Sequence, residues 1–129
     1  LSRRRTSLLL LALAACGPSA ERVAAEDTLR TASQALAEVG SSGGEAPGLA
    51  PAVEEASDWL AQGERAVDLW GNAPRSLAYE TVAPCLARSL GDVREALTEA
   101  GRPVPPTLET AEASAAAVSD DACPRRDRR

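Results

Sequence analysis

The sequence predicts an all-α protein, a small antiparallel bundle of about four helices with one of them interrupted near Pro84, and three observations carry this. Apolar residues recur at alternating spacings of three and four along most of the chain, which gathers them on one face of a helix. No segment shows the period-two alternation of a half-buried strand. Gly- and Pro-containing stretches at 40–48, 71–74 and 101–106 cut the rest into pieces of helical length.

The first helix is expected from a cap at Ser19 to about Val39. Glu21, Glu26 and Asp27 lie early, where the positive end of the helix dipole favours acids. Ala25, Leu29, Ala32, Leu36 and Val39 form its inward face, and Gly40 is expected to end it. Residues 40–48 (GSSGGEAPG) read as a flexible linker without the Gly-Lys-Ser/Thr ending of a phosphate-binding loop.

The second helix shows the clearest rhythm, through Leu49, Val53, Ala56, Leu60, Gly63, Val67 and Trp70, with Pro51 tolerated in the first turn. Gly63 sits on that seam, where it lets a neighbouring helix come close. Gly71-Asn72 stops the helix.

A third helical region starts near Pro74, and Pro84 predicts a kink or break near Ala83, since its ring removes a hydrogen bond and crowds the preceding turn. Leu86, Leu90, Val93, Leu97 and Ala100 continue the seam to Gly101. Arg102 to Pro106 forms a stiff turn. Thr107 then opens a last helix with Leu108, Ala111, Ala115 and Val118 inward.

The core these helices offer is thin. Hydrophobic residues make up 44% of the 129, yet Phe and Met are absent, aromatics contribute 2%, and much of the remainder is alanine. Alanine favours helix formation but buries little, so such helices are easier to form than to hold together, and an additional staple is expected.

Arg3, Arg4 and Arg5 form a basic start, Ser7 to Ala15 an apolar run, and Leu13-Ala14-Ala15-Cys16 closes it. The run is too short to span a hydrocarbon core of ~30 Å and reads as an export signal. The closing tetrapeptide resembles the lipobox of bacterial lipoproteins. That resemblance covers residues 1–17 and implies cleavage between Ala15 and Cys16, a thioether lipid on Cys16, and anchoring in the cell envelope. Gly17 after the cysteine implies the outer membrane, facing the periplasm, in a diderm host. The expected organisation is a signal peptide over 1–15, a lipidated tether over 16–18, a bundle over 19–123 and a basic tail over 124–129.

With Cys16 lipidated, Cys85 and Cys123 remain, and in an exported chain that even remainder suggests a disulfide. Cys85 to Ala100 and Thr107 to Cys123 are arms of about 22 and 24 Å at helical rise. A hairpin turning at 102–106 would bring both sulfurs to its open end if residues 119–122 keep near that rise. Free thiols, a redox pair or metal ligation are the alternatives. The pair lacks C-x-x-C spacing, and without histidine a zinc site would have to use carboxylates such as Asp120 and Asp121.

The formal charge is −5, and loss of Arg3, Arg4 and Arg5 makes it −8. Arg125, Arg126, Arg128 and Arg129 with Asp127 give the tail +3, suited to anionic headgroups or simply to solvent. The acidic body repels phosphate, so nucleic acid is not an expected partner. The chain has no histidine, which removes the commonest general base and the Ser-His-Asp and Cys-His arrangements. No catalytic residue, cofactor or metal site is expected. An enzyme here would have to work with carboxylates.

Trp59, lying beside the seam, and Tyr79 are candidates for partner contact, with core packing the competing reading. The expected function is therefore non-enzymatic: a lipid-anchored envelope protein that contacts the membrane through Cys16 and binds another envelope protein. The alternative is a small-ligand or cation-binding module using Glu54, Glu55, Asp58 and Asp68 of the second helix, residues that also suit a solvated face.

Overall fold

The computed structural model describes residues 17–42 and 46–124. Ala15, Cys16 and the arginines of the tail lie outside the described residues, as does part of the expected linker. Four helices follow one another: α1 (Ala20–Ser41), α2 (Leu49–Asp68), α3 (Leu77–Glu99) and α4 (Pro106–Ala116). Each packs antiparallel on the next, and α4 closes back on α1. The all-α bundle is the architecture expected from the sequence.

α1 begins where Ser19 Oγ accepts a hydrogen bond from the Arg22 amide at 3.1 Å, satisfying one of the amides a helix leaves open at its start. Its whole expected inward face is buried, joined by Thr28 and Ala35. Gly40 does not end it. The helix runs on to Ser41, because the Ser41 and Ser42 hydroxyls donate to the carbonyls of Glu38 and Val39 and finish the last turn there. The expected linker is shorter by that much.

α2 starts after Gly48, whose φ of 78° is a left-handed conformation that glycine adopts without strain. Ala52 takes the buried place expected of Val53, which is only half-buried. At Gly63 the expectation of close approach holds: a Cβ there would lie 2.8 Å from Leu29 Cδ2 of α1. Trp70 lies beyond the helix end but is still buried, its indole Nε1 donating to the Ala73 carbonyl at 2.8 Å.

α3 begins three residues later than Pro74, after Ser76, whose Oγ caps the Tyr79 amide at 3.2 Å. The expected interruption near Pro84 does not occur, and the helix is continuous through it. Proline at this position removes a single amide donor, the one that would reach Glu80 O, at a cost of about 3 kcal/mol in an isolated helix interior. The completely or nearly completely buried Ala83, Cys85, Leu86, Leu90 and Val93 on the same helix outweigh that cost. α3 is the central helix, and it supplies most of the largest fully buried side chains.

Leu97 O accepts from Arg102 N at 2.8 Å, and Gly101 with φ 69° turns the chain toward α4. α4 opens at Pro106, one residue before Thr107, a position where proline loses nothing. Leu108, Ala111 and Ala115 are buried as expected, Val118 is half-buried, and Ala100 at the end of α3 is exposed. Residues 119–122 leave helical geometry altogether, with Ser119 Oγ holding the Asp121 amide. Cys123 still reaches Cys85: the two form a disulfide with Cα atoms 4.6 Å apart. Closure is made by a turn rather than by the helix-rise path, and the pairing expected from the sequence stands.

Candidate functional site

An open cleft of about 520 Å³ lies at the end of the bundle where α1 starts. Three helix ends and one loop build it. α1 contributes Glu21, Asp27 and Thr28 from its first turns. The α2–α3 connection contributes Trp70 and Arg75, the start of α3 Tyr79 and Glu80, and the end of α4 Ser114 and Val118. The connection is held firmly: Arg22 Nη1 of α1 donates to Gly71 O at 2.7 Å, and Arg75 donates through Nε and Nη2 to Glu80 Oε1 at 3.1 and 2.6 Å. Trp70 and Tyr79 face each other with ring centroids 5.8 Å apart, a separation at which aromatic pairs attract beyond their area.

Two polar atoms here lack partners. Tyr79 is 2% exposed, and its hydroxyl makes no hydrogen bond; neither does the buried Glu80 Oε2. Burial pushes the Tyr79 phenol above its usual pKa, and Thr28 opposes the shift as a polar neighbour, yet its hydroxyl is committed to Ala24 O and the pair does not reach hydrogen-bonding geometry. The Glu80 carboxylate, through its hydrogen bond and its charge, raises the Arg75 pKa and so holds the guanidinium protonated. Chemically, the cleft offers an aromatic wall, one engaged arginine and several carboxylates. Among the described residues of the cleft, no hydroxyl is hydrogen-bonded to a side-chain base.

The raised phenol pKa has a readable consequence. The neutral form is favoured by folding, so its stabilisation is complete below about pH 10 and is lost as pH rises through the folded value. Because the chain has one tyrosine and no lysine, this titration stands clear of others. Tyrosinate absorbance is expected to rise at a higher pH than in the unfolded chain. Tyr79→Phe is expected to abolish the alkaline fall in stability and to leave neutral stability equal or up to about 1 kcal/mol higher, since an unpaired buried hydroxyl is removed. A phenol titrating at the same pH folded and unfolded would contradict its burial.

Of the two readings open for Tyr79, the structure shows core packing: it lies in line with Leu86, Leu90, Val93 and Leu97 on the buried face of α3. Trp59 is half-buried and packs against the core from α2, away from the cleft. The acids of α2 do not converge. Glu54, Asp58 and Asp68 are exposed, and Glu55 pairs with Arg88 of α3 at 3.2 Å. Among the described residues no three His, Cys, Asp or Glu side chains are placed to hold a metal ion. Nearby Asp92 has a raised pKa through burial first and then the charge of Glu55.

Sequence reasoning did not find the cleft, because its residues come from three helices and a loop, and periodicity within one helix says nothing about which ends meet. The visible hint was Arg75-Ser76 before Tyr79-Glu80, a cap flanked by opposite charges. No family model, curated protein or solved structure matches the chain.

Proposed function

We propose that this chain is an exported, lipid-anchored envelope protein that acts without catalysis, binding another envelope component through the cleft at the start of α1. The observation that carries the reading is the Cys85–Cys123 disulfide. Such bonds persist in oxidising compartments, and this one leaves Cys16 as the remaining cysteine, in a segment that resembles a lipobox. The helix-only scaffold and the absence of histidine support binding over chemistry. A 520 Å³ open cleft with Trp70 at its wall is a suitable seat for a side chain or short segment of a partner.

The test combines anchoring and contact. Cys16→Ser is expected to move the protein from the membrane to the soluble fraction and to remove the lipid mass from the mature N-terminus. A photo-crosslinking residue at Ser114, on the cleft rim, is expected to give a discrete adduct in native envelopes. An unlipidated Cys16 would sink the anchoring; a Ser114 position that crosslinks to nothing would sink the contact.

A further inference from the structure

We infer that the α2–α3 connection, on the rim outside the cleft, is lipid-facing, with Leu69 and Leu77 entering the interfacial layer of the membrane that holds Cys16 while the cleft beside them stays open to its partner. The inference rests on the anchored reading above and goes beyond it, because a lipid tether alone leaves the bundle's orientation open.

Three independent observations point to this end. First, among the described residues the large apolar side chains that stand more than half exposed are Val23 at 51%, Leu69 at 79% and Leu77 at 77%, and all three lie here. Leu69 caps the end of α2, Leu77 is the first residue of α3, and Val23 is in the opening of α1. Second, the loop that carries the leucines is pinned from behind. Arg22 holds Gly71 O, Trp70 is buried with its indole on Ala73 O, and Arg75 is held by Glu80. A loop so fixed can turn its leucines inward only by giving up those contacts, so their exposure is a stable property of the fold.

Third, the chain leaves the described region at this end in both directions. Gly17, next to Cys16, is two residues before the Ser19 cap, a reach of about 7 Å when extended. Pro124 lines the same shallow depression as Arg75 and Leu77, and the five residues after it include four arginines. A lipid on Cys16 therefore brings this end, and no other, to the bilayer surface. The bundle itself is acidic, with Asp68 beside Leu69, so the contact depends on apolar insertion rather than headgroup charge.

The processed chain is reconstituted in phosphatidylcholine vesicles and its amide hydrogen exchange compared with that of the Cys16→Ser form in solution. Slower exchange over residues 69–77 on vesicles is expected, returning to the solution rate in Leu69→Ser/Leu77→Ser while the lipid keeps that variant on the vesicle. Both positions are exposed, so folding is not at stake. Unchanged exchange on protein-free vesicles with an intact anchor overturns the surface and spares the anchor. Should Cys16 carry no lipid, the anchored reading fails on its own, and vesicle flotation of the unlipidated chain decides the surface: binding weakened roughly tenfold by the two substitutions upholds it, and equal binding overturns it.

Discussion

Reducing the Cys85–Cys123 bond, or replacing both cysteines by alanine, is expected to lower the unfolding free energy by about 4 kcal/mol, the chain-entropy value for a closed loop of 38 residues. For a domain of this size that corresponds to a fall in Tm of roughly 15–25 °C. The effect should be large here for a reason specific to the composition. Alanine accounts for many of the buried positions, among them Ala25, Ala32, Ala35, Ala56 and Ala111, and each contributes little apolar area. The bridge also ties the segment after α4 to the central helix, where otherwise the 11-residue α4 has few large side chains to hold it. Thermal unfolding with and without reductant measures this, and a shift under about 1 kcal/mol would show that the helices hold without the bond.

The second large effect is expected at Leu90. It is 0% exposed near the middle of α3, the helix that packs on both α2 and α4, and Leu90→Ala should cost about 3 kcal/mol through lost burial and the cavity left behind. Leu77→Ala, at a 77% exposed position, is the control and should stay within about 0.5 kcal/mol of the parent. Denaturant midpoints of the two variants decide the matter. Equal loss at both sites would mean that the core is not centred on α3.

The helices were legible because burial repeats in the chain with their period. The seams of α1 and α3 were visible in Leu29, Leu36, Leu86, Leu90 and Leu97, and the start of α1 in the Ser19 cap. Pro84 misled because local propensity is a cost per residue, while the packing that offsets it comes from other helices. Gly40 misled in the same way, since glycine permits a helix end without requiring one. Cys85 and Cys123 were predictable as partners from cysteine parity in an exported chain, whereas the helical path through residues 119–122 that the arm lengths assumed is not the one taken. Tyr79 carried two readings, partner contact and core, and its burial follows from the seven-residue step that sets it in line with Leu86. The cleft depends on which ends meet, and that is a property of the assembled bundle.

A last consequence follows from parity. An even number of antiparallel helices returns the chain to the end at which it began, as the ring closure of α4 on α1 shows. The α1–α2 and α3–α4 connections therefore share the distal pole, about 30 Å away along helices of some twenty residues. Sequence added at residues 42–48 would be displayed at that pole, at the opposite end from Ser19 and Pro124, and its length would be free of the geometric limits that bind the proximal loop.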